Sequence, residues 1–234
     1  MNVLIVHAHP EAQSFSTALK ATAENTLSDM GHMVTVSDLY AMDFKAVADG
    51  RDFGTRRDPD YLTYALEQRT NFEAGTLSPD IAAEVDKVVA ADLLILNCPI
   101  FWFSVPAILK GWIDRVFLSG PFYGGKRFYD RGGLAGKKAL VTMTLGGREH
   151  MFGPDAVHGE LETMLRPLLR GTLYYVGMTV LQPFFAHHVP YVDDAARKQM
   201  LADYVEYLRA IDIAPTLTFP SLDDFDDKLN PKNS

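Results

Sequence analysis

The chain of 234 residues is long enough for one large domain or two small ones, and no break in composition divides it. Its 30 acidic residues outnumber its 22 Lys and Arg for a formal net charge of −8, which argues against a nucleic-acid partner because no basic stripe is visible. The single cysteine, Cys98, excludes an internal disulfide, and no apolar run reaches the roughly 18 residues of a membrane span. We therefore expect a cytoplasmic protein with no stable membrane insertion.

Strand-like apolar runs alternate with helical patterns, which predicts an α/β fold with a parallel sheet and helices on both faces. The predicted strands are 3–6, 33–36, 93–98, 139–144 and 179–185. The predicted helices are 15–27, 78–90, one that starts at Ser104, 160–175 and 195–211. Five such strands match a flavodoxin-like sheet, whose ligand lies at the switch point between the first and third strands.

Two segments exceed a minimal five-stranded fold. Residues 38–77 form a long insertion after strand two without a strand pattern, and a loop of this length is usually functional or disordered. We expect this insertion to cover a cofactor or to contact a second subunit. Residues 212–234 are acidic and contain proline, so we expect a solvated or partly ordered C-terminal arm or tail that follows a catalytic domain of residues 1–211.

An aromatic segment follows the third predicted strand. Ile100, Phe101, Trp102 and Phe103 stand where that strand passes into a helix, and Ser104 could cap this helix. The carboxyl ends of strands in open parallel sheets bind ligands, so these rings could form a wall against a flat cofactor. The alternative is that the rings simply cap the core.

The turns after the first and fourth strands should reach the same edge of the sheet. His9, Phe15 and Ser16 stand at the start of the first helix, where free N–H groups attract phosphate, although ordinary helix capping is the alternative. The G-x-G-x-x-G fingerprint of dinucleotide binding is missing there. Gly146 and Gly147 would let a ligand approach backbone N–H groups, or they form a plain tight turn.

Four segments make the chain resemble the NAD(P)H:quinone oxidoreductases of the DT-diaphorase type, in particular the shorter members without the long C-terminal extension. They are residues 36–42, 77–81, 102–112 and 146–147, and the third segment, Trp-Phe-Ser-Val-Pro-Ala-Ile-Leu-Lys-Gly-Trp, is the most specific. The resemblance implies a homodimeric enzyme that contains FAD. It would pass a hydride from NADH or NADPH to the flavin and then to a quinone or a related small-molecule acceptor, by a ping-pong route.

The resemblance also implies site residues. The cofactor-binding positions are His9, Phe15, Ser16, Ala18, Thr63, Ile100, Phe101, Trp102, Phe103, Asp114, Thr144, Leu145, Gly146, Gly147 and Arg197. The substrate-binding positions are Trp102, Phe103, Tyr123, Tyr129, Phe152 and His158. Ser16 stands where members often have Asn, and Leu145 stands where a second Thr is common. Gly125 replaces a lid tyrosine, which implies a wider or more mobile pocket mouth.

The catalytic pair departs from the family pattern. Members have a Tyr and a His after the paired glycines, and this chain has Phe152 and His158. An imidazole can carry positive charge near neutral pH and can stabilise negative charge that develops on the flavin. Since Phe152 cannot donate a hydrogen bond, either His158 carries more of this stabilisation, or His150 or water substitutes, or the enzyme is slower or differently selective.

Two other functions stay open at this point. One is an FMN-dependent nitro- or azo-compound reductase of the same fold, because flavodoxin-like domains host many reactions. The other is a regulatory ancillary subunit of a potassium-efflux system. We expect no metal site: the adjacent His187 and His188 would face opposite sides of a strand, and only one cysteine is present.

Overall fold

A parallel sheet forms the centre of the computed structural model, which describes residues 1–232. Its strands are β1 (Asn2–His7), β2 (Met33–Asp38), β3 (Leu93–Pro99), β4 (Lys138–Thr144), β5 (Thr179–Val180) and β6 (Phe184–Ala186). The strand order is β2-β1-β3-β4-β5, with β6 also paired to β4, and all pairs are parallel. This order is that of the flavodoxin-like sheet, so the predicted fold class is confirmed.

Helices cover both faces of the sheet. They are α1 (Phe15–Asp29), α2 (Tyr64–Ala74), α3 (Pro79–Ala90), α4 (Ala107–Val116), α5 (Leu161–Met164), α6 (Arg166–Leu168), a π-helix (Leu169–Tyr174) and α7 (Asp194–Arg209). Helices α1 and α7 pack on one face, and α3, α4 and residues 165–176 pack on the other. The central strands are apolar along nearly their whole length because both faces are covered. None of the helices within residues 1–232 is both long and apolar enough to cross a membrane.

Three predicted elements differ from the observed ones. Helix α4 begins at Ala107 rather than at Ser104, because the backbone of Ser104 pairs with Phe101 in both directions at 3.0 Å. The fifth predicted strand is split into β5 and β6, with Pro183 in the gap, where it cannot donate to a ladder. The helix predicted at 160–175 is broken at Leu165 and finishes as a π-helix.

The insertion at 38–77 contains a helix that the sequence pattern did not predict. The buried face of α2 carries Glu67, Gln68 and Asn71, so the helix has almost no apolar stripe to recognise. The insertion is anchored to α4 at two points. Gly111 of α4 allows the carbonyl of Ala46 to approach, because a Cβ at position 111 would lie only 2.0 Å from that oxygen.

The second anchor is a buried ion pair. Arg115 of α4 and Asp52 of the insertion are 1% and 0% exposed at their side chains, and their charged groups lie 2.9 Å apart. Lys45 and the hydroxyl of Tyr64 also bind the Asp52 carboxylate, each at 2.7 Å. The insertion therefore has a definite position against the domain.

The C-terminal arm follows the edge of the sheet. The N–H of Leu217 donates to the carbonyl of Val180 in β5 at 2.8 Å, and the ring of Phe219 lies 4.9 Å from that of Tyr174. A short 3-10 helix at Leu222–Asp224 then meets Asp130, whose carboxylate accepts from Ser221 Oγ at 2.5 Å. Positions 233 and 234 of the predicted arm lie outside the described residues.

Candidate functional site

A cleft runs along the carboxyl edge of β1, β3 and β4. It consists of two adjoining cavities of about 260 and 320 Å³ that share Ile100, Leu145 and Gly146. The first cavity is also lined by Trp102, Phe103, Gly147, Phe152, His158 and Leu161. The second is also lined by His9, Ser14, Phe15, Ser16, Pro99, Phe101, Thr144, Val189 and Pro190. Most of the residues predicted for the cofactor and the catalytic pair therefore meet in one place.

The aromatic turn (residues 100–104) forms one wall of the cleft. Trp102 and Phe103 have φ angles of 51° and 55°, as in a type I′ turn, and the Phe101–Ser104 backbone pair closes the turn. Such angles are strained for bulky residues, and strain of this kind concentrates at ligand sites. The Trp102 side chain is 97% exposed. The N–H groups of Trp102 and Phe103 have no acceptor within residues 1–232, so the turn combines apolar rings with two unpaired donors.

The glycine turn (residues 145–147) forms the floor. Leu145 donates to the carbonyl of Ala186 at 3.0 Å, and its own carbonyl accepts from Val189 at 3.1 Å. The N–H groups of Gly146 and Gly147 find no acceptor in the described part of the chain. A Cβ on Gly146 would lie no closer than 3.9 Å to another group, so a ligand can approach this backbone directly.

The predicted catalytic pair lies against the aromatic turn. The ring centroid of His158 is 5.1 Å from that of Phe152 and 5.6 Å from that of Phe103. The backbone N–H of His158 donates to the carbonyl of Met151 at 3.0 Å, which ties the two ends of this loop together. An imidazole is thus held between two phenyl rings at the wall of the first cavity.

A further histidine, His187, contacts Phe152, whereas the sequence argument treats it only as a possible metal ligand. Its ring centroid is 5.7 Å from that of Phe152, and its Nδ1 atom is buried without a partner in the described structure. Burial lowers the pKa of His187, and the charge of Glu149 acts in the opposite direction. The only signal in the sequence was its position two residues after a predicted strand segment.

The second cavity contains the start of α1. Ser14 caps this helix by accepting from the N–H of Thr17 at 3.1 Å, and the buried hydroxyls of Ser16 and Thr144 bond each other at 2.8 Å. His9 Nδ1 accepts from the N–H of Glu11 at 3.0 Å. Burial lowers the pKa of His9 against the opposing effect of this contact.

Two other predicted residues lie at the margin of the second cavity. Ala18 lies further along α1, outside the lining, and its N–H donates to the carbonyl of Ser14 at 3.1 Å. Arg197 of α7 donates to the carbonyl of Val189, a lining residue, at 3.4 Å. Arg197 also pairs with Asp194 at 3.0 Å, so its guanidinium is partly committed to its own helix.

His7 is a buried histidine that the sequence argument passed over, and it lines neither cavity. It ends β1, is 1% exposed, and its Nδ1 donates to Asn97 Oδ1 at 2.6 Å, while its Nε2 lies 3.3 Å from Thr17 Oγ1 in α1. Burial lowers the pKa of His7, although its bond to Asn97 acts to raise it. The imidazole therefore joins β1, β3 and the first turn of α1.

Four predicted residues are not brought to the cleft of their own chain. Thr63 precedes α2 beside another surface pocket, and Asp114 pairs with Lys110 at 2.6 Å. Tyr123 and Tyr129 belong to a separate aromatic cluster, 5.6 Å from Tyr175 and 5.3 Å from Tyr174, respectively. Asp114 lies within α4 and the other three positions follow the second strand or α4, so the fold carries them away from the glycine turn.

No group of three or more His, Cys, Asp or Glu side chains within residues 1–232 could hold a metal ion. His187 and His188 have different neighbours: the first contacts Phe152 and Phe185, and the second contacts Gly146 and Tyr191.

The chain is similar to known proteins over most of its length. A family described as having a flavodoxin-like fold matches residues 1–208. The chain is 43% identical over 210 residues to the ribosyldihydronicotinamide dehydrogenase (quinone) of Mus musculus, a match that covers 89% of this chain and 91% of the mouse protein. It is 40% identical over 220 residues to NAD(P)H dehydrogenase (quinone) 1 of Cavia porcellus, over 93% of this chain and 80% of that protein.

Solved structures resemble the whole chain. A Klebsiella pneumoniae protein assigned as a quinone reductase superposes with a TM-score of 0.95 at 35% identity, over 99% of this chain and 94% of that one. The general stress protein 14 of Treponema denticola, solved in complex with FMN, gives a TM-score of 0.63 at 25% identity, over 90% of this chain and 99% of that one.

Proposed function

Because the chain belongs to the flavodoxin-like family of NAD(P)H quinone dehydrogenases, we propose that it is a flavoprotein that transfers a hydride from NADH or NADPH to bound FAD and then to a quinone. One observation carries this proposal. The aromatic turn and the glycine turn present four free N–H groups beside an apolar wall, and His158 lies in the same cavity. A planar, tricyclic cofactor with a polar edge fits such an arrangement.

The second cavity offers a place for the phosphate groups of FAD. The second cavity continues from the first and ends at the start of α1, where helix N–H groups and His9 can bind a pyrophosphate. Trp102 and Phe103 would lie against the isoalloxazine, and the N–H groups of the glycine turn would meet its polar edge. Arg197 would contribute positive charge from the margin of the cleft.

Bound FAD would supply the group that accepts and releases the hydride. The chain's own residues would orient the cofactor and stabilise the negative charge that develops on it. His158 is held at the cavity wall and can place positive charge beside electron density that arrives in the cleft. Phe152 adds a ring but no donor, so backbone N–H groups share the work of stabilising that charge. In the ping-pong route, the oxidised nicotinamide would leave the cleft before the quinone enters the same site.

We also propose a homodimer. Tyr123, Tyr129, Thr63 and Asp114 do not line the cleft of their own chain, so they could serve a flavin only in the cleft of a second copy. Trp102, Val157 and Tyr61 are 97%, 79% and 71% exposed, and such apolar groups commonly become covered in an assembly. A closed pair is also the commonest oligomer. Light scattering should report twice the chain mass, and a monomer at micromolar concentration would contradict this proposal.

A cytoplasmic location belongs to the same proposal. Cys98, the single cysteine, is buried and free, so the fold does not depend on an oxidising compartment. Burial also raises the pKa of its thiol, so it has little thiolate character.

The cofactor decides between this function and its alternative. The Treponema denticola structure contains FMN, which keeps an FMN-dependent reductase of nitro or azo compounds as the second candidate. The purified protein should be yellow, and the released cofactor should have the mass of FAD. Protein that stays colourless after reconstitution would contradict the flavoprotein proposal, and protein that takes up only FMN would favour the alternative.

The hydride donor and the quinone acceptor are tested with the same purified protein. Anaerobic addition of NADH or NADPH should bleach the flavin, and a quinone should restore its colour. Because the mouse relative is named for ribosyldihydronicotinamide, that compound belongs in the comparison as a third donor. Bleaching by ribosyldihydronicotinamide alone would overturn the assignment of NAD(P)H as the donor.

A further inference from the structure

The peptide between Gly146 and Gly147 is held from outside the cleft by one residue. His188 Nδ1 lies 2.9 Å from the carbonyl oxygen of Gly146, and the backbone N–H of His188 donates to the carbonyl of Gly147 at 2.9 Å. A carbonyl oxygen only accepts, so Nδ1 must carry the proton in this contact. His188 thus makes two hydrogen bonds to consecutive carbonyls of the glycine turn.

These bonds determine which way the next N–H points. In a trans peptide the N–H is antiparallel to the preceding C=O, and the described residues contain no cis peptide. Since the carbonyl of Gly146 points toward His188, the N–H of Gly147 points away from it. Gly147 lines the first cavity, and its N–H has no acceptor within residues 1–232.

This peptide would otherwise turn over easily. Glycine populates both signs of φ, so a peptide flanked by two glycines can rotate with little steric opposition. Neither a side chain at 146 nor one at 147 is present to resist the rotation. The carbonyl of Leu145 is separately held by Val189, so the freedom is confined to the Gly146–Gly147 peptide.

His188 is itself in a constrained conformation. Its φ angle is 56°, in the left-handed region, and its ring centroid lies 4.9 Å from that of Tyr191. A non-glycine residue keeps such an angle only where the surroundings over-determine it. Here the two hydrogen bonds to the glycine turn and the ring contact with Tyr191 hold His188 in this conformation.

We propose that His188 is a positioning residue that holds the Gly146–Gly147 peptide with its N–H, rather than its carbonyl, toward the cleft. Without this contact the carbonyl can rotate inward and face the electron-rich edge of a bound cofactor, where it repels instead of donating. The effect on cofactor binding rests on the proposed flavin function, but the orientation of the peptide is a property of the chain itself.

Two variants of nearly equal shape compare a side chain that has an N–H donor with one that has none, and a third controls for charge. His188→Asn keeps an N–H donor near the position of Nδ1, whereas His188→Asp replaces it with an acceptor. Asn and Asp both tolerate the left-handed conformation, so backbone strain is matched. Each variant also loses the ring contact with Tyr191, which is therefore matched as well. His188→Ala, which has neither donor nor charge, separates the loss of the donor from the negative charge that Asp adds, and it also serves if the Asp variant fails to fold.

The first measurement tests whether the Gly146–Gly147 peptide changes its orientation. We would record ¹⁵N relaxation dispersion of the Gly147 amide on labelled protein as purified. Wild type and His188→Asn should show no microsecond-to-millisecond exchange at Gly147, and His188→Asp or His188→Ala should show it. Equal behaviour of the Asn, Asp and Ala variants, or exchange already present in wild type, would overturn the proposal.

The second measurement is the flavin dissociation constant by fluorescence titration. His188→Ala should bind FAD roughly tenfold more weakly than His188→Asn, in line with one well-placed hydrogen bond. Equal affinities would overturn the effect on binding. Wild type that binds no flavin would refute the proposed function instead, while the dispersion at Gly147 would still decide the role of His188.

Discussion

The ring of Phe152 occupies the space that a side chain at Gly147 would need. A Cβ on Gly147 would lie 2.7 Å from Cε2 and 2.8 Å from Cζ of Phe152. Phe152 is also in contact with His158 and His187, at centroid distances of 5.1 and 5.7 Å, so the ring cannot move aside without disturbing them. Glycine is therefore required at 147 by packing, since its φ is not in the left-handed region.

Gly147→Ala should destabilise the protein by about 1–3 kcal/mol, the usual cost of overpacking. Gly146→Ala is the matched control, because its Cβ would meet only Tyr191, at 3.9 Å. Urea denaturation of both variants checks the difference. Adding Phe152→Leu to Gly147→Ala should recover part of the loss, and equal stability of the two alanine variants would contradict the packing argument.

His158→Gln should slow the reduction of the flavin by NADH or NADPH. Electrostatic donors contribute roughly tenfold to a thousandfold in rate, and we expect the lower end because backbone N–H groups share the role. Anaerobic stopped-flow bleaching measures this rate. If the variant is reduced at the wild-type rate across pH 6 to 8, the charge is met by the glycine turn and not by His158.

Phe152→Tyr should speed flavin reduction modestly, by roughly two- to tenfold, because it adds one hydrogen-bond donor at the wall of the first cavity. The same stopped-flow assay applies. Phe152→Leu, which has neither ring nor hydroxyl, separates a gain from the donor from a change in packing. A properly folded Tyr variant with an unchanged rate would show that the phenol does not reach the charge.

Arg115→Met should destabilise the protein by about 2–3 kcal/mol, because it removes a buried, charged hydrogen-bond donor from the Asp52 carboxylate and leaves Lys45 and Tyr64 as its side-chain partners. Arg209→Met is the control, since the Arg209–Glu206 pair is exposed and worth at most about 1 kcal/mol. Urea denaturation compares them. Equal losses would mean that the anchor between the insertion and α4 is not structural.

Stability should fall as the pH drops below about 6.5, partly because of His187. Burial holds the pKa of the folded imidazole below that of the unfolded one, with Glu149 opposing the shift. The unfolded chain therefore binds a proton first, and the free energy of unfolding decreases until the pH passes the folded pKa.

The variant His187→Phe should flatten this dependence, measured by urea denaturation between pH 7 and 5. It should not abolish it, because the pKa values of His7 and His9 are also lowered by burial. His150→Phe, at an exposed position, is the control. A slope unchanged by His187→Phe would contradict the role of this residue.

The sheet and most of its helices could be predicted because their signals are local. The parallel strands are continuous apolar runs, and the predicted helix 78–90 differs from α3 by one residue at its start, where Pro79 occupies the first helical position. Helix α2 could not be predicted, because its buried face carries polar side chains, some of which form hydrogen bonds with the preceding loop. Glu67, for example, accepts from the backbone N–H of Arg57 at 2.8 Å.

By itself the sequence determined which residues gather at the edge of the sheet, because strand direction and strand order bring the ends of β1, β3 and β4 together. Only the tertiary structure decided how they face one another. The contact from His188 to Gly146 joins positions 42 residues apart, and the two rings that flank His158 come from different loops. Tyr123 and Tyr129 show the same limit, since they lie in a separate cluster of their own chain. Periodicity and capping act over one or two turns of chain, whereas ring contacts and the orientation of a glycine peptide depend on how distant segments pack.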